Sequence, residues 1–144
     1  MNLAVKKLHP NAILPTYGSD GAAGADLYAC LDETVTIEPG ETVKIPTGLA
    51  MEIPENYAGL IYARSSLGTK RGLAPANKVG VVDSDYRGEV CVMLLNHGKE
   101  PQSIAPGERI AQLLITPVLK VSFEETDELS DTRRGAGGFG STGK

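Results

Sequence analysis

Asn77-Lys78-Val79-Gly80-Val81-Val82-Asp83-Ser84-Asp85-Tyr86-Arg87-Gly88, continued at once by Glu89-Val90-Cys91-Val92-Met93-Leu94-Leu95, is the stretch on which the fold turns. Two apolar runs rich in β-branched residues flank a short polar loop, and that pattern predicts two strands joined as a hairpin. Gly80 interrupts the first run. A glycine inside a strand marks a bulge or a close approach to the backbone. The acidic loop admits two readings. Asp83 and Asp85 are ordinary turn formers, or the Gly80 backbone faces a ligand, Asp83 aims a carboxylate at it and Tyr86 packs against it. The second reading needs partners from elsewhere in the chain.

On either side the chain keeps the same grammar. Residues 2–8 alternate as a first strand, and a Pro- and Gly-containing loop leads to Ala25-Asp26-Leu27-Tyr28-Ala29-Cys30. Thr34–Ile37, Thr42–Ile45 and Leu49–Ile53 are separated by turns at Pro39-Gly40 and Pro46-Thr47-Gly48, and Pro-Gly suits the centre of a type II turn. The phrase Ile37-Glu38-Pro39-Gly40-Glu41 returns as Ile104-Ala105-Pro106-Gly107-Glu108, which predicts two matching corners. Ala58–Ala63 is a further strand, and Arg109–Val118 reads as a strand running into an edge. Short strands punctuated at near-regular intervals predict an all-β barrel or sandwich.

One helix is expected, near 66–71, with Ser65 able to cap it, Gly72 able to end it, and Lys70 and Arg71 in its last turn. Its free N–H groups, with Arg64 alongside, suit an anion; a plain capped surface helix fits the local sequence equally well. Asp26 is a turn aspartate or a ligand for a metal or water. Gln112 breaks an apolar run, so its amide needs partners, either backbone groups or something in a site.

Composition limits the possibilities. The chain has 144 residues, no Trp, 5% aromatics, 17 Gly and 9 Pro, so a single domain with a Val/Ile/Leu core and little helix is expected. A net charge of −4 argues against a general nucleic-acid binder. Cys30 and Cys91 lack metal or redox spacing and read as reduced residues. No signal peptide or membrane-spanning run is apparent, which points to a cytoplasmic protein with no membrane partner.

The C-terminal end divides from the rest. Residues 1–123 are expected to form the β domain, and 124–144 an acidic linker followed by a flexible glycine-rich arm. The arm, Arg133-Arg134-Gly135-Ala136-Gly137-Gly138-Phe139-Gly140-Ser141-Thr142-Gly143-Lys144, carries one aromatic, two hydroxyls and basic residues at both ends. Such a composition is commonly a disordered terminus. It also holds the parts of a backbone nest that closes over a phosphorylated aromatic ligand.

Five segments, taken in order, resemble the five motifs of the homotrimeric dUTPases. They are Ala23-Gly24-Ala25-Asp26-Leu27, Arg64-Ser65-Ser66-Leu67-Gly68, Asn77 through Gly88, Gly107-Glu108-Arg109-Ile110-Ala111-Gln112, and Arg134 through Gly143. The resemblance implies a jelly-roll-like distorted barrel of short strands, assembled as a trimer in which each arm closes a neighbouring subunit's site. The implied reaction is hydrolysis of dUTP to dUMP and pyrophosphate with Mg²⁺. It keeps uracil out of DNA and supplies dUMP for thymidylate synthesis.

By the same resemblance, Asp83 activates the attacking water and Asp26 holds the metal's waters in the outer shell. Arg64, Ser65, Ser66 and Gln112 would contact phosphate, as would Arg134, Gly140, Ser141 and Thr142 of the arm. Asn77, Gly80 and Val81 would read uracil, Tyr86 would lie under the deoxyribose, and Phe139 would stack on the base. Two alternatives share the scaffold: a dCTP deaminase of the same superfamily, and a non-catalytic nucleotide sensor.

Overall fold

In the computed structural model, which describes residues 1–139, the apolar runs become eleven strands. They are β1 (Ala4–Lys7), β2 (Thr16–Tyr17), β3 (Ala25–Tyr28), β4 (Val35–Ile37), β5 (Thr42–Glu52), β6 (Tyr57–Tyr62), β7 (Leu73–Pro75), β8 (Gly80–Val82), β9 (Glu89–Asn96), β10 (Gln102–Ile104) and β11 (Arg109–Pro117). A four-stranded sheet has the order β1-β5-β9-β7, a five-stranded sheet the order β2-β3-β11-β6-β8, and β4 pairs with β10 as a separate ribbon. The fold is all-β and jelly-roll-like, as expected, and its sheets stay open at their edges.

The core fills the space between the sheets. In β9 the inward positions Val90, Val92, Leu94 and Asn96 are buried while the alternate side chains face outward, the period of a strand with one covered face. Ile45 and Leu94 from the four-stranded sheet meet Leu27 and Leu113 from the five-stranded one, and Ile37 and Ile104 close the end of the same cluster. Each such side chain taken out of water contributes roughly 1.5–3 kcal/mol.

The matching Pro-Gly corners are both present and built alike. Gly40 and Gly107 have φ of 79° and 73°, the left-handed position of a type II turn. Glu41 N–H donates to the Glu38 carbonyl (2.9 Å) and Glu108 N–H to that of Ala105 (3.1 Å). The carboxylates of Glu41 and Glu108 then accept the N–H groups of Glu38 (2.8 Å) and Ala105 (2.9 Å). The repeated phrase thus marks two corners flanking one β4–β10 ribbon.

Three expectations about the strands are corrected. The central stretch is not a hairpin, because β8 pairs with β6 whereas β9 pairs with β5 and β7. The acidic loop 83–88 therefore crosses between sheets. Pro46-Thr47-Gly48 is not a turn but a bulge inside the continuous strand β5, where the register slips between Pro46 and Ala50. Proline lacks the ladder N–H, and Gly48, with φ of 67°, has no room for a side chain: a Cβ would meet Ala12 Cβ and Cys30 Sγ at 2.8 Å. β11 does not run along an edge; it lies inside its sheet between β3 and β6, and only its last residue, Pro117, marks where pairing ends.

The expected helix is a single π turn, Leu67–Arg71. The cap position falls to Ser66 rather than Ser65, and its side chain makes no cap bond; the Ser65 carbonyl accepts the Thr69 hydroxyl (2.6 Å). Gly72 does end the turn, in the left-handed conformation with φ of 66°.

Beyond β11 no described residue lies in a strand or helix. Among the described residues no helix is long and apolar enough to cross a membrane. Cys30 and Cys91 are free thiols.

Candidate active site

Seven of the sequence-predicted residues line two clefts: Asn77, Gly80, Val81, Asp83 and Tyr86 one, Arg64 and Ser66 the other. The first, of about 360 Å³, is lined by Asn77, Gly80, Val81, Asp83 and Tyr86 together with Lys44, Ile61, Glu89 and Cys91. Gly80 is buried opposite Ile61, and a Cβ on it would press on the Asn77 amide and the Ile61 side chain at 3.3 Å. The close approach foreseen at this glycine is therefore made first by the protein's own side chains, which fold Asn77 over the cleft. Val81 and Tyr86, both on this cleft, keep 63% and 45% of their surface exposed. Asp83 is exposed at the cleft mouth and also borders a larger acidic cleft of about 790 Å³.

The second cleft, about 330 Å³, is cationic: Arg64, Lys70, Arg71 and Arg109 line it, with Ser66 and Glu108. Sheet register sets what stands behind Arg64 and Arg109. Gln112 in β11 sits across from Asp26 on one side and Tyr62 on the other, which brings Asp26, Gln112 and the chain leaving β6 toward Arg64 side by side. Gln112 donates to the Ala63 carbonyl (2.9 Å), which answers where its amide finds a partner. Gly24 leaves the space for it, since a Cβ there would lie 2.9 Å from Gln112 Oε1. Ser65 is exposed at the start of the π turn.

Asp26 is gripped from two sides. Arg64 Nε donates to Oδ1 (2.8 Å) and Arg109 Nη1 to Oδ2 (3.2 Å), leaving the carboxylate only 13% exposed. Arg109, which lies in the fourth of the five motif segments, was expected only as a structural partner near the site, and holding Asp26 is such a part. Arg71 was read as a helix-end cation, yet its guanidinium binds the Gln102 side chain (3.0 Å), Glu108 and the Ser103 carbonyl, and so ties the π turn to the β10–β11 corner.

The donor set bears on magnesium. Among the described residues no cluster of three or more His, Cys, Asp or Glu can enclose an ion. Asp26 is a lone hard oxygen donor already holding two arginines, which fits a metal held through its own waters and unfits Asp26 as one member of a protein cage.

The two clefts share no lining residue within one protomer. Arg134 and Phe139 belong to neither and are exposed, Phe139 fully. Gly140, Ser141 and Thr142 lie outside the described residues.

The model of the dUTPase family matches residues 10–143, spanning both clefts and the arm. The chain belongs to the dUTPase family. A deoxyuridine 5'-triphosphate nucleotidohydrolase of Desulfitobacterium hafniense is 56% identical over 131 residues, covering 90% of this chain and 87% of the relative. One from Acinetobacter baumannii is 49% identical over 149 aligned positions, covering 100% and 99%. Among solved structures, the dUTPase of Staphylococcus bacteriophage 80alpha with dUPNHPP superposes with a TM-score of 0.91 at 31% identity over 99% of both chains. The dUTPase of phage phi11, described with a structural Mg(II) ion, has a TM-score of 0.81 at 27% identity over 89% of this chain and 98% of that one. This dUTPase chain is accordingly an enzyme, a dUTP diphosphatase.

Proposed function

We propose that the enzyme binds uracil and deoxyribose in the cleft of Asn77, Gly80, Val81 and Tyr86, and that Asp83 delivers the attacking water to the α-phosphorus. Water is a poor nucleophile against phosphorus shielded by anionic oxygens. A carboxylate at the cleft mouth orients it and takes its proton. The observation that carries this reading is the convergence of Asp83, Tyr86, Gly80 and Asn77 on one cleft.

Uracil's polar edge would meet the β8 backbone and the Asn77 amide, whereas cytosine presents the opposite donor pattern and would leave buried groups unpaired. Tyr86 would lie under the deoxyribose and leave no room for a 2′-hydroxyl. Arg64, Ser65, Ser66 and Gln112 would hold the phosphates, and charge building on the departing pyrophosphate would be met by these groups. Asp26, steadied by Arg64 and Arg109, would face the waters of Mg²⁺. When bound, that ion supplies charge neutralisation of the triphosphate.

Because the nucleoside and cationic clefts are separate in a protomer, each site would be completed between subunits of a homotrimer. The domain 1–123 would form the body, and the arm 124–144 of another subunit would close the site, with Phe139 stacking on the base and Arg134, Gly140, Ser141 and Thr142 on the phosphates. The products, dUMP and pyrophosphate, would clear uracil from DNA precursors in the cytoplasm and feed thymidylate synthesis.

Asp83→Asn is the decisive variant. It should lower pyrophosphate release by at least about 10²-fold, while affinity for a non-hydrolysable dUTP analogue stays within a few-fold of the parent. Undiminished turnover in this variant would remove Asp83 from the mechanism.

A further inference from the structure

Tyr86 is seated on the two residues that follow its loop. Its hydroxyl donates to the Glu89 carbonyl (2.9 Å), and its N–H donates to the Asp83 carbonyl (3.2 Å). Its ring lies so close over Gly88 that a Cβ there would stand 2.6 Å from Cζ. The height of the ring is therefore set by where residues 88 and 89 enter β9.

That entry point is where the ordinary sheet ladder fails. Pairing of β5 with β9 jumps from Pro46 opposite Cys91 to Ala50 opposite Glu89, and the bulge occupies the gap. Two side-chain hydrogen bonds stand in for the missing ladder. The Glu89 carboxylate accepts the Gly48 N–H (2.8 Å), and the fully buried Thr47 hydroxyl donates to the Val90 carbonyl (2.6 Å). Gly48, in turn, is pinned by its own carbonyl, which accepts from Leu8 N–H (2.7 Å). The bulge is thus a fixed post, and Glu89 fastens the loop to it.

We propose that Glu89 is a positioning residue for sugar discrimination: acting through Tyr86, it sets the floor beneath the deoxyribose and hence the exclusion of a 2′-hydroxyl. The inference rests on Tyr86 being that floor. Freed from Gly48, residue 89 and the ring above it gain room to sink, and the ribose form gains more than the deoxyribose form. A merely structural carboxylate would weaken both nucleotides together.

The test compares dissociation constants for the imido triphosphates of deoxyuridine and uridine, which need no turnover. Glu89→Ala should lower the ribo-to-deoxy ratio about tenfold, as sub-ångström misplacement does in closely fitted sites. Glu89→Gln, which retains an acceptor oxygen, should restore the ratio to within about twofold. Glu89→Asp withdraws the carboxylate by one methylene and should fall with Ala; it carries the test should Ala not fold. Tyr86→Ala separates the two levels. A lowered ratio in Tyr86→Ala with an unchanged ratio in Glu89→Ala or Glu89→Asp overturns the positioning role alone. An unchanged ratio in Tyr86→Ala overturns the sugar floor and the inference with it.

Discussion

Cys91 lines the cleft proposed for the nucleoside, and its thiol proton is held tightly. Burial pushes its pKa above the ordinary 9.0, and the neighbouring Glu89 pushes in the same direction. The thiolate is the nucleophile, so iodoacetamide should modify Cys91 more slowly than a free thiol at pH 8, with the rate still climbing past pH 9, where an ordinary thiol levels off. A bound dUTP analogue should slow Cys91 further and leave Cys30, which does not line that cleft, unchanged; peptide mass spectrometry reads both sites. Equal protection of the two thiols would contradict the placement of the base and sugar. The same shift has a thermodynamic side. The folded chain keeps this proton when the unfolded chain begins to lose it, so the associated stability is intact below pH 9 and declines as pH rises through the folded value.

At the scale of elements, Asn96 shows how the ribbon and sheet are joined. It is fully buried at the end of β9; its amide donates to the carbonyls of Ile37 (2.9 Å) and Glu100 (2.8 Å), and its Oδ1 accepts from Gly98 N–H (2.9 Å). Asn96→Ala should leave the buried Ile37 carbonyl and the part-buried Glu100 carbonyl and Gly98 N–H without this partner and cost about 1–3 kcal/mol in urea unfolding, with the affinity of the remaining folded protein for nucleotide unchanged. A loss under about 0.5 kcal/mol would mean that water replaces the amide. Elements of this kind also show what the sequence made legible. Period-2 burial in β9 and the two Pro-Gly corners were readable because they are local: side-chain alternation and φ depend on adjacent residues. Strand partners were not. Val81 and Val90 look like two arms of one hairpin, yet they join different sheets, since alternation fixes a covered face without naming a neighbour. Asp83, Tyr86 and Asn77 could be grouped from sequence because they lie on one short stretch, and they do line one cleft; Arg109 reaches Asp26 only through the pairing of β11 with β3, which no local pattern announces.

For the whole molecule, the separation of the nucleoside and cationic clefts makes a sharp prediction about assembly. Asp83→Asn and Arg64→Ala proteins, each inactive alone, should regain about a quarter of the wild-type rate when unfolded and refolded together in equal amounts. That is the chance that two independently drawn copies each bring an intact half. No recovery would place both halves in one subunit. A chain ending at Thr132 should melt within about 2 °C of the full protein, because no described residue of the arm belongs to the core, yet hydrolyse dUTP poorly. Undiminished activity without the arm would refute its closing role. One last feature lies just after β11, where Leu119, Val121 and Phe123 stand 94%, 65% and 96% exposed at every second position. A lone subunit would carry this oily comb uncovered, so very dilute samples should stick to plastic and lose activity with time, and a carrier protein or mild detergent should preserve it.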